Sequence, residues 1–132
     1  MRYFVLFFAI AGCLLLSACN GYDVKIYAEP AVVRRGGEGE FHIKLEARGK
    51  YHLEPEGLVI IIFTPPSFIK MDKTEFRQED KKAENFFSAP FTVEPDAAAG
   101  EAVTKVDITF QVCTETQCLI IEDHRQVKVK IQ

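Results

Sequence analysis

The chain has no tryptophan among its 132 residues. A buried Trp packed on an inter-sheet disulfide marks the antibody-type domain, so that version of a β-sandwich is excluded. There is no surplus of positive charge: 16 Lys and Arg stand against 19 Asp and Glu. Nucleic acid is therefore not an expected partner, because phosphate binding needs a basic surface. No Ser-His-Asp arrangement, phosphate-binding loop or pair of acids spaced for hydrolysis stands out. Internal repeats and low-complexity segments are missing as well. Long apolar runs are scarce. After the first 18 residues the longest candidate is Leu58-Val59-Ile60-Ile61-Ile62-Phe63, far below the roughly 20 residues that a spanning helix requires.

One apolar run does open the chain. Arg2 is followed by an apolar stretch from Tyr3 to Leu16, then by Leu16-Ser17-Ala18-Cys19. A basic start, an apolar middle and small residues at the end are the layout of a secretory signal. Leu-Ser-Ala-Cys resembles the lipobox of bacterial lipoproteins. That resemblance implies cleavage before Cys19 and acylation of its sulfur, with palmitate among the chains. The competing reading is an ordinary signal peptide, or an uncleaved anchor, with Cys19 in place by chance. On the lipoprotein reading residues 1–18 are removed and 114 remain, with 15 basic and 19 acidic residues and a formal charge of −4. That length suffices for one domain with one core. The mixed charges read as solvated strand faces. Asn20 is not the Asp that resembles an inner-membrane retention signal. The expected location is thus a lipid anchor facing the periplasm, with the outer membrane favoured.

Export also changes what the four cysteines mean. Cys13 leaves with the signal and Cys19 carries lipid. Cys113 and Cys118 remain, in a compartment where disulfides persist.

Residues 19–28 read as a tether passing into a first extended segment at Val24-Lys25-Ile26-Tyr27, and residues 29–132 as one domain. In it Phe41, Ile43, Leu45 and Ala47 alternate with His42, Lys44 and Glu46, the period of a half-buried strand. Residues 58–63 are apolar on both faces and β-branched, which predicts a central strand ended by Pro65-Pro66. Residues 70–85 are charged and predict a long loop, with a helical turn near 79–84. Strand character returns at 86–93 around Pro90. Val106, Ile108, Phe110 and Val112 then alternate with Lys105, Asp107, Thr109 and Gln111, and Val127, Val129 and Ile131 close the pattern. The expected fold is all-β, an immunoglobulin-like β-sandwich of seven to eight antiparallel strands.

Cys113 and Cys118 flank Thr114-Glu115-Thr116-Gln117, an ordinary hairpin loop. Strands pairing in register would place the two cysteines opposite each other, about 4.5 Å apart at Cα in a non-hydrogen-bonded pair, within reach of a disulfide. Cys113 shares parity with the polar face, so its sulfur is expected to point away from the core. The bridge would close six residues, for which loop entropy gives about 2 kcal/mol. An exposed bridge closing so little chain suits reversible exchange. A surface staple fixing the hairpin is the alternative.

Phe110-Gln111-Val112-Cys113-Thr114-Glu115-Thr116-Gln117-Cys118 is similar to the Tyr/Phe-Gln-x-Cys…Cys hairpin of the N-terminal periplasmic domain of the thiol:disulfide interchange protein DsbD. Gly49-Lys50-Tyr51-His52-Leu53 resembles that family's Gly-aromatic-His segment, and the likeness spans residues 41–131. The resemblance implies an immunoglobulin-like fold in which Cys113 and Cys118 are the redox pair. It implies passage of reducing equivalents to or from periplasmic thioredoxin-like or other thiol proteins, with a separate membrane electron carrier. It also implies an aromatic cap over the sulfurs, for which Phe76 in the 70–85 segment is the candidate. Two departures stand out. The family often has Pro after its second cysteine, whereas Leu119-Ile120-Ile121 follows here. Its domain is usually fused to transmembrane and thioredoxin-like domains, whereas this chain stops at Gln132, so those functions are expected from other proteins, the alternative being that the relay is lost.

His52 and His124 are candidate metal ligands beside the cysteines, but Cys-x4-Cys followed by His124 is no standard zinc spacing. No metal or other cofactor is expected. His52 is expected to be partly buried at a strand end and His124 to be on the surface. Glu115, Glu122 and Asp123 lie near the cysteines in sequence and would raise a thiol pKa, which fits a passive exchange partner. The two functional expectations are a lipid-anchored thiol–disulfide exchange domain and a non-redox lipoprotein binding or assembly module with a structural disulfide.

Overall fold

The computed structural model of the protein describes residues 21–132. The expected signal peptide, with Cys13, and the expected acylation site Cys19 lie outside the described residues. Alternating apolar residues produce ten strands: β1 (Tyr22–Glu29), β2 (Val32–Val33), β3 (Glu38–Ala47), β4 (His52–Leu53), β5 (Val59–Thr64), β6 (Ile69–Lys70), β7 (Glu75–Arg77), β8 (Phe86–Val93), β9 (Gly100–Cys113) and β10 (Cys118–Ile131). One sheet has the order β1-β3-β8-β6. The other runs β2-β10-β9-β5-β7, with β4 also paired to β9. Their inner faces pack together as an immunoglobulin-like sandwich.

The core follows from the period of two. Phe41, Ile43 and Leu45 of β3 and Phe87, Ala89, Phe91 and Val93 of β8 are buried from one sheet. Val59, Ile61 and Phe63 of β5, with Val106, Ile108, Phe110 and Val112 of β9, are buried from the other. Aromatic rings tie the layers together. Phe41 stacks on Phe91 at 4.3 Å within its sheet and on Phe63 at 5.7 Å across the core, and Tyr22 meets Phe110 edge-on at 5.4 Å. Gly36 takes φ +76° at the β2–β3 turn, where its N–H donates to Val93 O at 2.9 Å. Only glycine enters that left-handed region without steric cost.

Several expectations change. The strand count rises from seven or eight to ten, and β2 runs parallel to β10 through Lys130↔Val32 and Ile131↔Val33. Residues 22–29, expected as the end of a tether and a first extended segment, form a full strand paired to β3 from Tyr22↔Ala47 to Glu29↔Glu40. The 70–85 segment is not a long loop. It contains the end of β6, all of β7 and a 3-10 turn at Gln78–Asp80, where Asp80 caps the Arg77 N–H at 2.8 Å. Two- and three-residue strands are too short to show a periodicity. The strand expected at 58–63 is β5, Val59–Thr64, between β9 and β7, but its outer face is open: Ile62 is exposed while Ile61 is buried.

Phe76 is corrected most sharply. It lies on β7 opposite Ile61, is 5% exposed, and meets Phe63 edge-on at 5.7 Å. Its ring faces the core between the sheets. The cysteines lie on the opposite face of the sheet and farther along β9, so Phe76 does not cap them. The reason is parity. Glu75 and Arg77 take the outer positions of β7 and leave Phe76 the inner one.

Candidate functional site

The β9–β10 hairpin carries the disulfide. The two strands pair along their whole length, from Cys118↔Cys113 to Ile131↔Gly100. That register places Cys113 and Cys118 side by side with Cα atoms 4.0 Å apart, joined by a disulfide. The connecting loop is held by its own polar groups. Thr114 N–H donates to Gln117 O at 2.7 Å, and Thr114 Oγ1 accepts from the Gln117 N–H at 3.2 Å. The geometry is therefore fixed by strand register and a self-bonded turn.

The two halves of the bridge differ in environment. Cys118 is exposed, whereas Cys113 is 1% exposed. Parity does place Cys113 on the outer side of β9, as read from the sequence, yet that side is covered there. β9 is flanked on both sides at this row, with Cys118 on β10 and His52 on β4. Gln111, one pleat away on the same face, donates from Nε2 to Cys113 Sγ at 3.6 Å. Its Oε1 accepts from the Leu58 N–H at 3.4 Å, which orients the amide. Sequence reasoning placed Gln111 on the polar face of its strand and in the family motif; its aim at the sulfur depends on Leu58, just before β5, which no local pattern reveals.

On its other side, β10 pairs with β2 only at Lys130 and Ile131. Among the described residues its Cys118 end is therefore a free edge. Leu119 and Ile120 are exposed there, the latter by 55%, and Leu58 is exposed nearby. An apolar, unpaired edge next to an accessible sulfur is where another chain could approach.

The remaining candidates fall in different places. His52 is exposed rather than partly buried, and its Nε2 is 2.8 Å from Glu54 Oε1. His124 is exposed on β10 opposite Asp107, whose carboxylate lies 2.6 Å from its Nδ1 and raises its pKa. Asp123 is ion-paired with Arg125 at 3.2 Å. Among the described residues no three or more His, Cys, Asp or Glu side chains are grouped to hold a metal.

A second polar cluster was not anticipated. His42 lies on the outer face of β3 between the rings of Tyr27 and Phe86, at 5.1 and 5.2 Å. Its Nε2 donates to Glu40 Oε2 at 3.1 Å, and Ser88 Oγ donates to the same oxygen at 3.1 Å. Both bonds hold Glu40 below the usual carboxylate pKa. An open groove of about 560 Å³ beside it is lined by Glu29, Glu40, His42, Lys70 and Asp72. It lies on the other sheet from the disulfide, and its mixed charges define no single ligand.

Compared with known proteins, the chain matches no family model and no curated protein. It is similar to the crystal structure of a conjugative transposon lipoprotein from Bacteroides eggerthii, at 16% identity over 79% of this chain and 95% of that one, with a TM-score of 0.42. It is also similar to AggA, the major subunit of aggregative adherence fimbriae type I from Escherichia coli, at 8% identity over 84% of this chain and 95% of that one, with a TM-score of 0.44. Neither similarity extends to a function for this chain.

Proposed function

We propose that the protein is a thiol–disulfide exchange domain of the bacterial envelope, anchored through lipid on Cys19 and acting through Cys113 and Cys118, as the likeness to the DsbD N-terminal domain implies. The observation that carries this reading is the asymmetry of the bridge: one sulfur open at a free strand edge, the other enclosed beside a hydrogen-bond donor. A partner thiolate attacks Cys118 Sγ. The new bond to the partner forms as the Cys113–Cys118 bond breaks, and Cys113 leaves with the electron pair as a thiolate. Gln111 Nε2–H is placed to donate to that thiolate. The partner's second thiolate then attacks its own sulfur in the mixed disulfide and releases Cys118. The domain gains two electrons and the partner becomes a disulfide. Run in reverse, Cys118 attacks a partner disulfide and Cys113 resolves the intermediate.

The burial of Cys113 in a strand paired on both sides favours a second reading, in which the bridge only staples the hairpin of a binding or assembly module. Thiol trapping in graded redox buffers separates the two. Exchange requires a potential above about −300 mV, the level below which structural bridges usually lie. A bridge that stays oxidised in native protein until strong reductant is added makes it a staple. In the reduced protein, Cys118 should be alkylated well before Cys113.

A further inference from the structure

We infer that the hairpin end of the sandwich rests on the surface of the anchoring membrane, with Leu119 and Ile120 at the lipid boundary. This rests on the acylation of Cys19 in the reading above, but not on the exchange chemistry. The first described residue, Gly21, is fastened to this end of the domain. Its carbonyl accepts from the Arg48 N–H at 2.8 Å. It also lies so close under the Tyr51 ring that a Cβ on it would fall 2.4 Å from Cδ2. The next residue after Tyr51 is His52, which stands directly across from Cys113. Tyr22, which follows Gly21, packs on Phe110, one pleat short of Val112 and the cysteine. The start of β1 and the disulfide therefore occupy the same end of the sandwich.

Only Cys19 and Asn20 separate the acyl chains from Gly21. Two extended residues reach at most about 7 Å. Pivoting about so short a link cannot carry the hairpin farther from the bilayer than its own distance from Gly21 plus that reach. The edge brought there suits an interface. Leu119 and Ile120 are exposed apolar residues that flank, one on each face, an edge unpaired among the described residues, and Lys50 is exposed in the loop that carries Tyr51. Glu115, exposed at the hairpin tip, sets the contact at headgroup depth, because a carboxylate is costly deeper in hydrocarbon. A partner exchanging with Cys118 must then present its thiols at that same membrane surface.

The absence of native Trp makes the test direct. Acylated full-length protein carrying Ile120→Trp or Ala98→Trp is placed in phosphatidylethanolamine–phosphatidylglycerol vesicles, and its emission is quenched with lipids spin-labelled at the headgroup. Ala98 is exposed just before Gly100, which starts β9 thirteen residues before Cys113, a span of about 44 Å at the usual strand rise. Ile120→Trp is expected to be blue-shifted and quenched several-fold more strongly than Ala98→Trp. Equal or absent quenching, with acyl mass on Cys19 confirmed, overturns the inference and leaves the apolar edge to a protein partner. Absence of the acyl mass overturns it together with the anchor. The measurement uses oxidised protein without a redox partner, so neither result is confused with failure of the exchange reading.

Discussion

Replacing Phe76 by Ala tests where the core ends and the face that carries the disulfide begins. The side chain is 5% exposed and sits between Ile61, opposite it on β5, and the ring of Phe63 at 5.7 Å. Truncating a buried Phe to Ala removes its transfer energy and leaves a cavity, for about 3–5 kcal/mol. β7 is a three-residue edge strand paired, among the described residues, only to β5, so it can collapse partly into the space, which points to the lower end, about 3 kcal/mol. At about 4 °C per kcal/mol for a domain of this size, the melting temperature should fall by about 12 °C. The rate at which dithiothreitol reduces the Cys113–Cys118 bridge at 20–25 °C should not change, because Phe76 is on the inner face and the bridge on the outer. Thermal melts followed by circular dichroism, and acid-quenched alkylation followed by mass, read the two quantities. A melting temperature within about two degrees of wild type, together with faster reduction, would refute the placement and return Phe76 to the role of a cap. Should Phe76→Ala not accumulate, Phe76→Leu keeps most of the volume and gives the same contrast at smaller amplitude.

Reducing the bridge without mutation should lower unfolding free energy by about 2 kcal/mol, the loop-entropy value for so short a ring. Cys118→Ser should cost a similar amount by urea titration and Cys113→Ser more, since only the latter buries a hydroxyl; equal costs would mean that Cys113 is in contact with water. In acid, Glu40 is held down by the His42 and Ser88 hydrogen bonds and Asp80 by Lys73 and the Arg77 N–H. Their stabilisation is therefore present above the ordinary values of 4.5 and 3.8 and lost as pH falls through the lower folded ones. Ser88→Ala should flatten the acid limb of a stability–pH curve, and an unchanged limb would show that this bond is not formed in solution. His124 is raised by its bond to Asp107, so its contribution is present below 6.5 and lost as pH rises through the folded value. In an NMR titration its midpoint should lie above that of a free imidazole and drop in Asp107→Asn; a midpoint indifferent to the substitution would disprove the pairing.

The long strands were legible because each buries one face and so writes a period of two into its residues. Phe41, Ile43 and Leu45, and Val106 through Val112, are read correctly for that reason. The register of β9 on β10 was legible too, since a four-residue loop between two cysteines leaves little freedom in how they face each other. What escaped were the features that depend on partners distant in sequence. β6 and β7 are strands because β8 and β5 offer open edges, and their two or three residues carry too little pattern to say so. Phe76 looked like an isolated aromatic in a charged loop, while its position between Glu75 and Arg77 is the alternation of an edge strand in miniature.

The direction of the Cys113 sulfur could be deduced from parity, but its burial could not. Burial requires β4 to lie along the far side of β9 and Gln111 to be turned by the Leu58 N–H, and both are consequences of how the 48–58 connection returns across the sheet. This difference matters for the chemistry. Two equally exposed sulfurs would give a partner no preference and leave two interchangeable mixed disulfides. In the proposed exchange, one enclosed sulfur and one open one would restrict attack to Cys118 and make Cys113 the leaving group, so that a single intermediate would form. The same His52 row that encloses Cys113 follows directly from Tyr51, which covers Gly21 at the start of β1. The packing that makes the bridge asymmetric is thus the packing that, with lipid on Cys19, would bring it to the membrane.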